Sequence, residues 1–114
     1  MADQRFIIEM GMGNDLHGEN YTKAAMRAVE NARKRSSLHL LGVPGVQRGA
    51  LRIVVTIGVQ APEQVDRDAI AGLFGDANVT VLVKKGGLNS RHPGTGQSIV
   101  MAAAAVEAFL PAQR

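Results

Sequence analysis

Cysteine is absent from all 114 residues. That excludes disulfides, thiolate-bound zinc and a cysteine nucleophile, and it fits a reducing compartment. Tryptophan is absent too, and with three Phe and one Tyr the aromatic content is only 4%. The core must therefore be built from Val, Ile, Leu, Met and Ala. An Ala-rich core limits burial per residue, and chains of this size often gain stability by burying more surface in an oligomer. Long hydrophobic runs are missing as well. The most apolar stretch, Ile99 to Leu110, carries Glu107 and falls well short of the roughly 20 residues a membrane helix needs. The opening MADQRFIIEM has no basic start followed by an apolar segment, so it does not read as a signal peptide. The expectation is a cytoplasmic chain that does not enter a membrane.

Hydrophobic residues make up 46% of the chain, ordinary for a folded protein, and the length suits a single α+β domain over residues 1–114. The net charge is +3, with the densest basic run at Arg33-Lys34-Arg35. Such a run suits a helix C-terminus, where the dipole is negative. No aromatic residues interleave with it and no nucleic-acid motif is present, so no nucleic-acid partner is expected.

Periodicity predicts alternating strands and helices. Residues 5–10 alternate, with Phe6, Ile8 and Met10 on one face and Arg5, Ile7 and Glu9 on the other. A helix is expected over 19–36, its apolar stripe formed by Tyr21, Ala25, Ala28, Val29 and Ala32. A connection over 37–50 holds HLLGV as a short strand. The clearest strand is 51–59, where Leu51, Ile53, Val55, Ile57 and Val59 alternate with Arg52, Val54, Thr56 and Gly58. Asp66 caps a short helix reaching about Phe74, a third strand spans 78–85, and a last helix is expected over 96–110. Strands of a doubly wound parallel sheet are apolar on both faces. These alternate instead. The expected fold is a two-layer α+β sandwich in βαβαβα-like order, with helices on one face of a mixed sheet.

Two segments could carry chemistry. GMGNDLHG (Gly11 to Gly18) joins the first strand to the first helix, where free backbone N–H groups favour an anion. Its spacing is not GxGxxG. Asp15 and His17 could act as orienting carboxylate and base, or share a metal; alternatively Asn14 and Asp15 make a turn, and Glu19 or Asn20 caps the helix. KKGGLNSRHPGTG (Lys84 to Gly96) also lies between a strand end and an expected helix start. Gly86-Gly87 permits an unusual backbone path, Lys85 and Arg91 offer anion contacts, and Asn89, Ser90 and His92 offer directed hydrogen bonds. The alternative is a surface loop rich in turn formers.

With IEMGMGNDLHG at 8–18, TKAAMRAVENA at 22–32, IGVQAPEQVD at 57–66 and GGL at 86–88, the sequence resembles a family of short conserved hypothetical bacterial proteins first named after a Listeria open reading frame. It is also similar to one unit of the ring-opening amidohydrolases of the cyanuric acid hydrolase and barbiturase type. Lys85-Gly86-Gly87 occupies the place of their Ser-Gly-Gly element, and Thr22-Lys23 that of their Thr-Arg. Because Lys85 stands at the serine position, the nucleophile of those enzymes is absent there. What this second likeness implies is a threefold homo-oligomer with sites between subunits, like the small trimers of the YjgF and chorismate mutase type.

The functional expectation is a trimer that binds a small anionic or cyclic-amide metabolite between subunits, with no cofactor and no metal. Glu9, Asp15, His17 and Lys85 are the candidate catalytic residues. Gly11, Gly13, Asn14, Gly18, Lys23, Gly86, Gly87, Asn89 and Arg91 are the candidate ligand contacts. The alternative is a non-catalytic ligand-sensing or accessory subunit that uses the same pocket.

Overall fold

Strand β2 (Arg52–Val59) forms as its pattern requires, burying every second residue, with Ile53, Val55, Ile57 and Val59 in the core. The computed structural model describes residues 3–34, 51–75 and 78–111. HLLGV with its His39, and Arg35 of the basic run, lie outside the described residues. Around β2 stand β1 (Asp3–Asp15), β3 (Asn78–Lys85), β4 (Leu88–Arg91) and β5 (Ser98–Pro111). The helices are α1 (Tyr21–Arg33) and α2 (Arg67–Gly72), with a single 3-10 turn at Pro62–Gln64.

The five strands make one mixed sheet in the order β1-β5-β2-β3, with β4 pairing to β5 past the end of β2. Only β2 and β3 run parallel, joined by the α2 crossover; the other pairs are antiparallel. Both helices contribute to one hydrophobic cluster, Val29 from α1 and Ile70 from α2, on one face of the sheet. The mixed α+β architecture matches the sequence expectation. Asp66 caps α2 as expected, its Oδ1 accepting from the Asp68 and Ala69 N–H groups.

Two expectations fail. The segment read as a last helix is β5, the long central strand, so the order is βαβαβββ rather than βαβαβα. Ile99, Ala102, Ala103, Val106 and Phe109 do fall at helical spacing, but the period of two fits equally well. Val100, Ala102, Ala104, Val106 and Ala108 all point into the core. Alanine's helix preference is a fraction of a kcal/mol per residue, and ladder pairing with three neighbouring strands outweighs it.

The second failure is the inside face of β1. A register irregularity lies between Arg5 and Ile7, and beyond it Ile7 is 5% exposed while Ile8 is 39% exposed. The buried positions that follow are Gly11 and Asp15, and Met10 and Met12 face outward. Glycines on this face let α1 lie directly on the sheet. Gly11 pairs with Ala104 and Gly13 with Ala102 in the ladder, which makes a floor of minimal side chains. Ala24, Ala25, Ala28 and Ala32 of α1 rest on it, fully buried.

Candidate functional site

Antiparallel pairing of β1 with β5 sets Asp15 opposite Val100, and β4 places Asn89 opposite Val100 on the other side. The β1–α1 loop and the β3–β4–β5 hairpins therefore meet at one end of the sheet. Tyr21, at the start of α1, bridges them: its hydroxyl accepts a 2.8 Å hydrogen bond from Asn89 Nδ2. A second bridge joins His17 Nδ1 to Gln97 Nε2. The two segments singled out in the sequence thus form one surface.

Asp15 anchors it. The residue is 2% exposed, and its Oδ2 accepts the Asn20 N–H at 2.9 Å. Asn20 in turn is the N-cap of α1, accepting the Lys23 N–H at 2.9 Å. The other carboxylate oxygen lies 3.8 Å from Lys23 Nζ and 3.7 Å from Arg27 NH1. Arg27 is fixed further by a 2.7 Å bond to the Asn14 carbonyl. One buried carboxylate therefore holds two half-exposed cations on successive turns of α1. Thr22 ties the same turn to the β2–α2 loop, donating to the Gln64 carbonyl and accepting the Asp66 N–H at 2.9 Å.

Gly87 shapes the hairpin side. Its φ is +64°, and a Cβ there would sit 2.2 Å from the Met101 carbonyl oxygen and 2.8 Å from that of Gly58. Only glycine allows both the left-handed backbone and this approach. Gln60 Nε2 donates to the Gly86 carbonyl at 3.0 Å and stabilises the turn. His92 serves the β4–β5 turn, its Nδ1 accepting from the Gly94 and Thr95 N–H groups.

The expected site residues consequently separate. Asp15, His17, Lys23, Asn14 and Asn89 come to one end, with Gly18 at φ +87° in the connecting loop. Glu9 lies six positions before Asp15 on the same strand, about 20 Å away along an extended chain. Lys85 closes β3, three strands across the sheet from β1, about 14 Å away. Gly11 and Gly13 face the backbone of α1, and Gly86 packs on Gly58. Arg91 is exposed on the hairpin. Sequence reasoning missed Arg27, Tyr21 and Gln97. Periodicity places Tyr21 in the core stripe and Gln97 at the start of a helix, and gives Arg27 no role. The i,i+4 spacing of Lys23 and Arg27 was the one available signal.

Two hollows adjoin β1. A groove of about 460 Å³ runs beside α1, lined by Lys23, Arg27 and Lys34 with Met12 and Met26. Another, of about 530 Å³, lies on the helix-free face of the sheet. Among the described residues, no three His, Asp or Glu side chains gather to hold a metal, and no helix is long and apolar enough to cross a membrane.

These features define a small α+β protein with a mixed sheet, helices on one face and a polar cluster at one sheet end. The chain belongs to the family described as "Conserved hypothetical protein (Lin0512_fam)", whose model matches residues 5–108. It is also similar to a crystal structure from Nostoc punctiforme described as an FtsZ-like protein of unknown function. That likeness has 32% identity, covers 98% of this chain and 99% of the other, and has a TM-score of 0.81. No curated protein matches it.

Proposed function

We propose that the chain assembles as a homo-oligomer, a trimer of the YjgF and chorismate mutase type, and binds a small anionic metabolite at the sheet end where the two loops meet. One observation carries the choice of an anion. Lys23 and Arg27 share a single carboxylate, Asp15, so the cluster keeps about one unit of positive charge. Asn89 and His17 add directed hydrogen bonding beside it. The mixed sheet with one uncovered face supports the trimer likeness. A cyclic amide is the second ligand class, carried by the likeness of Lys85-Gly86-Gly87 to the ring-opening amidohydrolases. In a catalytic version His17 serves as the acid–base group, oriented through Gln97, and Lys23 stabilises developing negative charge. Lys85 and Glu9 join such a site only from a neighbouring subunit. A non-catalytic ligand sensor uses the same contacts.

The test is a thermal-shift and calorimetric screen of small dicarboxylates, inorganic phosphate and cyclic ureides. A carboxylate or phosphate is expected to bind the wild type, and Lys23→Met to weaken binding about tenfold, which is about 1.4 kcal/mol. NMR of the bound compound after incubation separates enzyme from sensor: turnover that His17→Ala abolishes identifies an enzyme, and binding without turnover identifies a sensor. If neither anions nor ureides bind, the reading fails.

A further inference from the structure

Among the described residues, the helices cover one face of the sheet and leave the other bare, and that face has the composition of a contact surface. Four of the six large hydrophobic side chains exposed on the described residues belong to it: Ile8, Met10, Met12 and Leu82. Met10 and Met12 are each 66% exposed, standing up from β1. Beside them the surface drops into the hollow of about 530 Å³, whose floor is Gly58, Ala103 and Ala105. The face therefore carries both projecting flexible side chains and a cavity able to receive them. Methionine fits irregular gaps readily because its chain is unbranched and polarizable. Charge borders the patch: Arg5 pairs with Glu107 at 3.1 Å beside Ile8, Arg52 stacks over Phe109 at 4.4 Å, and Lys84 is exposed on the edge strand β3 next to Gly58.

Area points to an occupant of protein size. The long β1–β5 ribbon and the shorter β2–β3 pair present roughly 700 Å² in projection at ordinary strand spacing. That is the whole face, of which Ile8, Met10, Met12 and Leu82 supply the exposed large apolar side chains. The projected area approaches the roughly 800 Å² each partner contributes to a standard interface. Strand addition at the β1 edge is the competing mode of contact, and a hydrogen bond obstructs it. Asn31 Oδ1 on α1 accepts the Met12 N–H at 3.1 Å, so a pairing strand would have to displace that side chain.

We propose that the helix-free face is the surface through which copies of this chain assemble, with Met10 and Met12 of one copy filling the hollow over Gly58, Ala103 and Ala105 of another. A face that carries knobs and hollow side by side lets the knobs of each copy enter the hollow of the next, the head-to-tail contact that closes a ring such as a trimer. The proposal rests on the homo-oligomer reading above and adds which face makes the contact.

Sedimentation equilibrium on the wild type, Met10→Glu/Met12→Glu and Asn31→Ala separates the two claims. The wild type is expected above the 12.1 kDa monomer mass at micromolar concentration. The double variant, placing carboxylates in an apolar contact, is expected to weaken assembly about a hundredfold or more. Asn31→Ala, which trims the rim of the hollow and frees the β1 edge, is expected not to strengthen it. A wild type that stays monomeric up to millimolar concentration overturns the oligomer reading and this proposal together. An assembled double variant overturns the face assignment alone, and so does tighter assembly of Asn31→Ala, which clears the β1 edge for strand addition. The cysteine-free background gives a second readout that needs no disruptive change. Met12→Cys chains mixed with Ala103→Cys chains should cross-link to each other through a short bismaleimide. Cross-links only between chains of the same variant, or none, overturn the proposal even if the glutamate variant fails to fold.

Discussion

Gly13→Ala should lower the urea midpoint by an amount equivalent to about 3 kcal/mol, at or beyond the upper end of ordinary overpacking, and Gly13→Val should prevent folding. The added Cβ would lie 2.3 Å from the Ala28 nitrogen and 2.6 Å from both the Ala24 oxygen and the Arg27 carbonyl carbon. All three are backbone atoms of α1, so no side-chain rotation relieves the clash. Gly11 faces the same helix one turn on, where a Cβ would lie 2.5 Å from the Ala28 oxygen. Relief requires lifting α1 by about an ångström, which forfeits much of the close contact along its alanine face. A loss of this size is a large share of the roughly 5–15 kcal/mol expected of a domain. Gly72→Ala is the control: its site is open and lies in α2, so it should be neutral or stabilising by about 0.5–1 kcal/mol. An unchanged midpoint for Gly13→Ala would contradict the packing described.

The same glycines explain what was legible in the sequence and what was not. β2 and β3 could be read because their core faces are Ile and Val in strict alternation. β1 could not. Past Ile7 its inward positions are Glu9, Gly11, Gly13 and Asp15, none of which registers as hydrophobic, while outward Met10 and Met12 do. The apolar pattern therefore pointed to the open face. β5 failed for the complementary reason. Its inward alanines at 102 and 104 are small because α1 lies close above, and an alanine run read alone favours a helix. Both errors come from one contact between distant segments, which no local period encodes.

The site was legible in position more than in membership. Strand-to-helix junctions marked residues 11–18 and 84–92, and the ladder brings the ends of both to one place. Glycine density, however, conflated two physical roles. Gly18 and Gly87 take left-handed backbone in turns, whereas Gly11 and Gly13 serve only to clear the helix. Tyr21 was hidden by its own duality: its ring is buried in the core while its hydroxyl accepts from Asn89.

Asp15 is the residue in which fold and site are hardest to separate, and its removal should be the costliest polar change in the described structure. Asp15→Ala strips a charged acceptor from the Asn20 N–H, and such bonds are worth about 1.5–3 kcal/mol. The Asn20 N-cap, which holds the Lys23 N–H, loses its own anchor in the process, adding part of the roughly 1 kcal/mol a cap contributes. The ion pairs add little. Lys23 and Arg27 stand 3.8 and 3.7 Å away with about half their side chains exposed, a geometry worth well under 1 kcal/mol each. The expected loss for Asp15→Ala is therefore about 3 kcal/mol by urea unfolding. Asp15→Asn keeps an oxygen for the Asn20 N–H and should lose about half as much. High salt should change neither difference greatly, since the dominant contact is a buried hydrogen bond. A double-mutant cycle between Asp15→Asn and Lys23→Met should return a coupling below 1 kcal/mol. A coupling of several kcal/mol, or a stability loss that salt abolishes, would mean that the ion pairs, not the buried cap, hold this end of the sheet together.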